Sequence, residues 1–184
     1  MCDPGGRPAR LAPGWSCART RWTRRVRPNE VRSAVMEVRT TRFGTLEIGE
    51  DRVITFPKGL LGFSGRTRYC LLQPNDDAAF FWLQSVDDPS LAFVVTDPSM
   101  FFPDYSAPIR PEQMDELGLS RLEDAQVFVI VNKVSESLTA NLQGPLVVNV
   151  ASRSGEQLVL ADRRWTTRHH IMTVGRPAAR AATA

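Results

Sequence analysis

The chain has 184 residues, with 23 Lys and Arg against 20 Asp and Glu, and a formal net charge of +3. This length fits one domain, and the 42% hydrophobic and 23% charged fractions exclude a mostly disordered or collagen-like chain. There is no apolar run of about 18 residues, so the sequence predicts no membrane-spanning helix. The three cysteines form no C-x-x-C pair and no disulfide framework, which favours a reducing, cytoplasmic setting.

The charge is unevenly distributed along the chain. Residues 1–35 carry eight Arg against two acids, giving +6, and residues 172–184 carry two Arg, giving +2. Residues 36–171 carry 13 Lys and Arg against 18 Asp and Glu, giving −5. The body is therefore acidic, and we expect it to speed encounter with a basic protein partner.

Residues 1–35 have no helical or strand periodicity and no apolar core of a secretory signal. Two interpretations remain open. A basic arm with Trp15 and Trp22 among its arginines could stack on bases and neutralise phosphates, which makes a direct RNA-binding or nucleic-acid-binding regulator the alternative function. The other interpretation is a disordered or misannotated extension, with translation starting at Met36. Residues 172–184 are interpreted as a disordered tail.

Residues 36–171 predict a mainly β fold: an antiparallel, β-barrel-like single domain with one short helix near 111–118. Short apolar segments separated by Gly, Pro, Asp and Asn are typical of such sheets. Strands are predicted at 46–48, 53–56, 69–72, 80–86, 91–96, 126–134, 137–142, 146–150 and 156–160. Pro111 in the first turn and Gly118 after the last turn bound the helix, whose Met114 and Leu117 would face the sheet.

The body contains no motif for catalysis, a cofactor or a metal, so the sequence predicts a protein that is not an enzyme. His169 and His170 are adjacent and would point to opposite faces of a strand, so they cannot chelate one metal as a pair. The glycines at 59, 62 and 65 enclose Leu, Leu and Phe, with no Lys-Ser/Thr after them. This segment is predicted to be a turn that buries its apolar residues.

Aromatic and acidic side chains are the candidates for partner binding. Aromatic anchors in rigid loops are typical of protein interfaces. The candidates are Phe81, Trp82, Asp87, Asp88, Phe101, Phe102, Pro103, Asp104, Tyr105, Arg164, Thr167, Arg168 and His169. Alternatives remain for each group. The aspartates could serve a type I turn before Pro89, the rings could lie in the core, and Arg164 and Arg168 could be ordinary solvated charges.

Several segments in order resemble the FliW family of flagellar assembly factors over about residues 38–171. They are Thr41–Gly44, Ile54–Phe63, Phe80–Pro98, Phe102–Tyr105, Leu117–Leu119, Asn141–Leu142 with Pro145, Asn149, Gln157–Leu160 and Thr167–His169. The family usually has proline where Leu61 and His170 stand.

The resemblance implies a non-catalytic, cytoplasmic, barrel-like protein without a cofactor. It also implies two competing partners, flagellin and the RNA-binding translational regulator CsrA. When free of flagellin, such a protein binds CsrA and relieves repression of flagellin translation. We expect no membrane partner, no direct contact with nucleic acid, and a monomer in the free state.

Overall fold

The computed structural model describes residues 34–75 and 78–174. Within them the chain forms eleven β-strands and one α-helix, α1 (Pro111–Leu117). The strands are β1 (Val35–Thr40), β2 (Gly44–Gly49), β3 (Val53–Thr55), β4 (Arg68–Leu72), β5 (Phe80–Ser85), β6 (Ala92–Thr96), β7 (Ala125–Val134), β8 (Ser137–Ala140), β9 (Leu146–Asn149), β10 (Gly155–Gln157) and β11 (His169–Thr173). Of the segments interpreted from sequence as an extension (1–35) and a disordered tail (172–184), residues 1–33 and 175–184 lie outside the described residues. Val35 belongs to β1, and residues 172 and 173 belong to β11.

The strands form one large antiparallel sheet and one separate hairpin. The main order is β10-β9-β7-β6-β5-β4-β3, with β8 on the second half of β7 and β11 beside β8. The sheet curls so that its outer strands meet at a parallel bridge, where the Thr55 amide donates to the Arg153 carbonyl at 2.8 Å. The antiparallel β prediction with one helix is confirmed, and the curled sheet approaches a barrel without a full closing ladder among the described residues.

Side chains of the central strand β7 alternate between two cores. Phe128 packs inside the curl with residues such as Phe81, Leu83 and Val95. Val127 and Val129 point to the other face, where α1, the 102–109 segment, β8 and β11 cover them. Residues 125–131 of β7 are therefore buried on both faces, which explains their nearly continuous apolar sequence, whereas residues 132–134 are exposed.

The β1–β2 hairpin packs on the outer face of β4 and carries a third, smaller core. Val38 and Ile48 of the hairpin contact Cys70 of β4. At the tip, the Thr41 amide donates to the Pro89 carbonyl at 3.0 Å and the Arg42 guanidinium donates to the Ser90 carbonyl at 3.2 Å. The hairpin thus rests against the turn between β5 and β6.

The helix and the β5–β6 turn follow the local chemistry of the sequence. Helix α1 has Pro111 at its first turn and ends at Gly118 with φ of 63°, a left-handed conformation that glycine adopts without a Cβ penalty. Leu117 is buried and Met114 packs beside it, as predicted. At the turn, the Leu91 amide donates to the Asp88 carbonyl at 3.1 Å, so the predicted hairpin is confirmed.

The glycine-bearing segment after β3 differs from its prediction. Leu60 is buried at 2% exposure, but Leu61 is 63% exposed and Phe63 is 40% exposed. The prediction that this segment buries its apolar residues was therefore wrong for both. The Leu61 amide donates to Gln157 Oε1 at 2.9 Å, a bond that a proline could not form because it has no N–H.

Candidate functional site

Four rings pack edge to face beside β11, and we call them the aromatic cluster: Phe102, Tyr105, Trp165 and His169. Phe102 lies 5.1 Å from His169 and 6.3 Å from Trp165, measured between ring centroids. Trp165 lies 5.2 Å from Tyr105 and 5.4 Å from His169. Edge-to-face packing at these distances is favourable for aromatic pairs. Separate stretches of the chain therefore build one ordered group.

Local hydrogen bonds hold the segments that bring these rings together. Asp97 is buried, and its Oδ1 accepts from the Ser99 amide at 2.9 Å at the start of a short 3-10 turn. Its Oδ2 accepts from Gln126 Nε2 of β7 at 3.1 Å. This double anchor fixes the start of the 101–105 loop to the central strand. His169 is placed from the other side, because β11 pairs it with Ala140 of β8.

Tyr105 is the buried anchor of the aromatic cluster. It is 9% exposed, and its hydroxyl donates to the Leu142 carbonyl at 2.8 Å. Burial raises the pKa of the phenol well above its usual value, because the ionised form would lose its hydration. Phe102, Trp165 and His169 are half-buried instead. The cluster is thus rooted at Tyr105 and reaches the surface through the other three rings.

Charged side chains border the aromatic cluster at Trp165. The Arg164 guanidinium lies 5.8 Å from the Trp165 ring centre and pairs with Asp162 at 2.6 Å. Hydrogen bonding between them lowers the pKa of Asp162 and raises that of Arg164. Both side chains remain accessible, so this pair orients the guanidinium more than it stabilises the fold. Thr167 and Arg168 are exposed on the same segment.

One polar group in the cluster lacks a partner. The indole N–H of Trp165 is shielded from solvent and forms no hydrogen bond. Leaving a shielded donor unpaired costs free energy. This N–H is therefore an unsatisfied donor inside the cluster.

The remaining candidates from sequence lie in the core, in the β5–β6 turn or at the surface. Phe81 is 1% exposed and packs on Phe128 inside the curl, so it takes the core alternative. Asp87 pairs with Arg68 at 2.6 Å, and Asp88 Oδ1 accepts from the Ser90 amide at 3.0 Å within the turn. Asp88 therefore has the turn role that the sequence left open, and Asp87 has an ion-pair role that the sequence did not indicate. The Ser90 hydrogen bonds lower the pKa of Asp88.

The other candidate side chains are at the surface. Trp82 is half-buried and lies 5.8 Å from the Phe43 ring. Phe101 is also half-buried, and its ring stacks on Phe80 at 5.6 Å with an 18° angle between planes. Pro103 and Asp104 are exposed next to the aromatic cluster.

Sequence reasoning missed Trp165, although it selected residues on both sides of it. A single large ring in the polar run from Asp162 to Arg168 was the available signal, since tryptophan is enriched at interface anchors. It also missed Phe43 and Phe80, whose exposure depends on how the hairpin and the 101–105 loop sit on the sheet.

The site offers no arrangement typical of metal chemistry. Across residues 34–75 and 78–174, no group of three His, Cys, Asp or Glu could hold a metal ion. His169 packs within the aromatic cluster, whereas His170 is exposed and lies 3.4 Å from the Thr173 hydroxyl. Over the same described residues, no helix is long and apolar enough to cross a membrane.

Comparison with known proteins identifies the family of this chain. The sequence profile of the FliW protein family matches residues 37–171. A flagellar assembly factor FliW from Alkaliphilus metalliredigens is 39% identical over 141 residues, covering 74% of this chain and 86% of the relative. Another, from Magnetococcus marinus, is 42% identical over 130 residues, covering 69% and 80%.

A solved structure agrees with both relatives. The crystal structure of a flagellar assembly factor FliW superposes with a TM-score of 0.69 at 33% identity, covering 74% of this chain and 97% of that one. The sequence profile covers the acidic β body, and the two relatives and the solved structure each cover about 70% of this chain or more. The chain therefore belongs to the FliW family of flagellar assembly factors.

Proposed function

We propose that this protein acts in the cytoplasm, without catalysis, by binding flagellin and a CsrA-type translational regulator in turn. Free flagellin would occupy it; when flagellin is exported, the released protein would bind the regulator and relieve repression of flagellin translation. Membership of the FliW family supports this proposal. The observation that carries it on the molecule itself is the aromatic cluster, an ordered group of rings that reaches the surface.

A switch of this kind needs only binding surfaces. Two ligands that form mutually exclusive complexes shift the protein between them according to concentration and affinity. A preformed surface loses little conformational entropy on binding, which favours affinity. The fixed 101–105 loop and the ring packing around Trp165 meet that requirement.

Within the cluster, Phe102 and Trp165 are the proposed contacts. Both are half-buried and packed in place, as expected for anchors that lose their remaining exposure on binding. The exposed Asp104, Thr167 and Arg168 would form the polar rim. Tyr105 is too buried to be a contact of the same kind and supports the others from below.

Calorimetric titration of the full chain with the host's flagellin and CsrA tests this proposal. We expect each protein to bind alone and each to displace the other. Phe102→Ala should weaken binding by about tenfold or more while leaving most of the thermal stability. Val159→Ala, at a residue that is 74% exposed outside the cluster, is the matched control. Failure of both proteins to bind the native chain would overturn the proposal.

Titration with RNA tests the alternative function, direct RNA binding. RNA would be titrated into the full chain and into a chain beginning at Met36, over a range of salt concentrations. Salt-sensitive binding by the full chain alone would favour a role for the basic arm. Absence of binding by both would exclude that alternative.

A further inference from the structure

Five apolar side chains form a strip on the outer sheet face between the β1–β2 hairpin and the aromatic cluster. They are Phe43, Phe80, Trp82, Val94 and Phe101. Phe43 is 38% exposed and the other four are half-buried. None of them belongs to the three packed cores found among the described residues. The strip is therefore apolar surface that packing within these residues leaves uncovered.

The strip is continuous with the aromatic cluster. Phe80 and Trp82 alternate along β5 and so share a face, and Val94 lies directly opposite Trp82 on β6. At one end the Phe43 ring lies 5.8 Å from Trp82. At the other, Phe80 stacks on Phe101, whose ring lies 6.5 Å from Phe102 of the cluster. A partner anchored on the cluster meets this strip next.

The backbone beneath the strip restricts what can cover it. Trp82 is paired with Leu72 of β4 on one side and with Val94 of β6 on the other. Val94 is paired in turn with Val131 of β7. An extended segment laid on this face would find few main-chain partners and would bury its own N–H and C=O groups unpaired. An α-helix satisfies those groups internally and presents a pure side-chain surface.

Cationic side chains stand at both ends of this surface, and the exposed Asp104 also lies at the cluster end. The Arg42 guanidinium lies 5.2 Å from the Trp82 ring centre, is exposed, and pairs with no carboxylate of the described residues. Beyond the cluster, Arg168 is likewise exposed without an ion pair in the same part of the chain. The acidic body as a whole attracts basic proteins at long range, but the two accessible arginines at the ends of the apolar strip favour acidic groups on the segment that lies against it.

We propose that the strip is a docking surface for an amphipathic α-helix of a protein partner, with acidic residues flanking its apolar face. About three to four turns, or roughly 14 residues, would cover a strip of this length. The inference rests on the proposed function in one respect, that a protein partner uses the aromatic cluster. It adds the conformation and charge of the segment that binds beside that cluster.

Calorimetric titration of the full chain with three synthetic peptides of equal length tests whether the strip binds a helix. The first has Leu at helical spacing with Glu beside the apolar stripe. The second has the same composition with Leu in strict alternation, and the third replaces Glu with Lys. We expect the first to bind best and to gain helical circular dichroism on binding. We expect the other two to bind more weakly or not at all. The alternating peptide would leave main-chain groups unpaired, and the Lys peptide would be repelled by the arginines.

Variants locate the bound peptide. Trp82→Ala and Phe80→Ala should each weaken the helical Glu peptide by about tenfold, whereas Leu61→Ala, at an exposed apolar residue on another loop, should not. Arg42→Glu should weaken the Glu peptide and strengthen the Lys peptide. Thermal melting of each variant checks that the fold is retained, as we expect for Arg42 and Leu61 because both are exposed.

The inference is overturned if the helical Glu peptide does not bind, if the alternating peptide binds equally well, or if Trp82→Ala and Leu61→Ala have the same effect. These results are separable from the proposed function, because neither flagellin nor CsrA is present. Binding of both proteins without binding of the helical peptide would overturn the helix-docking proposal alone. Binding of the peptide without either protein would remove the proposed function alone.

Discussion

Tyr105 shows how one side chain can serve the fold of a site without being its contact. Its aromatic neighbours and its position in the 101–105 loop resemble those of Phe102, and the sequence cannot separate the two rings. The structure does so through exposure and hydrogen bonding, since the Tyr105 hydroxyl is buried and donates to the Leu142 carbonyl. Phe102 carries no such bond and is half-buried.

Tyr105→Phe is expected to lower the free energy of unfolding by about 1 to 2 kcal/mol, because the Leu142 carbonyl loses its buried donor. Urea denaturation measures this change. Thr167→Ala, at an exposed neighbour, should stay within about 0.5 kcal/mol of the native protein. Loss of partner binding by Tyr105→Phe at unchanged stability would instead make the hydroxyl a direct contact.

In the Gly59–Gly65 segment, as in the 101–105 loop, some residues maintain the local fold while others remain exposed. Gly59 has φ of 68°, and a Cβ there would lie 2.5 Å from the Ser64 Cα. The Phe63 amide donates to the Leu60 carbonyl at 2.7 Å, which closes the segment on itself. Glycine is required at this position by both backbone conformation and close approach. The loop is therefore closely packed on its own backbone even though Leu61 and Phe63 are exposed.

Gly59→Ala and Gly62→Ala form a matched pair for this loop. Gly62 also has a positive φ, 83°, but a Cβ there would meet open space. We expect Gly62→Ala to cost about 1 kcal/mol of unfolding free energy from the left-handed backbone alone. Gly59→Ala should cost at least about 2 kcal/mol more, because Ser64 backbone must move. Equal urea midpoints for the two variants would contradict the role assigned to the close approach.

Most elements could be predicted from local chemistry, but the site could not. Nine strand segments and α1 follow from apolar spacing, proline stops and the Asp88–Pro89 turn. Strands β1 and β11 were not predicted. The sequence of β11, His-His-Ile-Met-Thr, does not alternate, and its pairing with β8 includes an irregularity between His170 and Met172. Residues 172 and 173, assigned to the tail from sequence, belong to this strand.

The aromatic cluster depends on contacts between distant segments. Phe102 meets Trp165 and His169 only because the 101–105 loop, the 160–168 segment and β11 converge on one face of β7. Periodicity identifies which residues are apolar on a single element, but it carries no information on which loops come together. The exposure of Phe80 and Trp82 could not be predicted from the sequence for the same reason.

At the scale of the whole molecule, the β1–β2 hairpin is the most weakly connected part of the sheet structure. It pairs only with itself among the described strands and rests on the small core of Val38, Ile48 and Cys70. Isolated two-stranded hairpins are marginal in water. The hairpin also carries Phe43, which belongs to the proposed docking strip, and Arg42, which borders it, so the local stability of the hairpin affects binding.

Hydrogen–deuterium exchange should show whether the hairpin is locally less stable than the large sheet. We expect amides of β1 and β2 to exchange at least about tenfold faster than those of β6 and β7, because the hairpin can open without disrupting the two larger cores. Val38→Ala should increase exchange in the hairpin and leave β6 unchanged, which serves as the internal control. Equal protection of the hairpin and β6 would show that all three cores unfold together.

The bridge between Thr55 and Ser154 also constrains how the protein is made. These residues are about a hundred positions apart, and contacts of such separation form late because the loop-closure entropy must first be offset by nearer contacts. During synthesis the antiparallel neighbours β3 to β6 can pair early, while the outer edge of β3 stays unpaired until the segment before β10 has left the ribosome. An open strand edge is a template for association, so a nascent chain is most exposed to misassembly in that interval, before its last strands close the sheet.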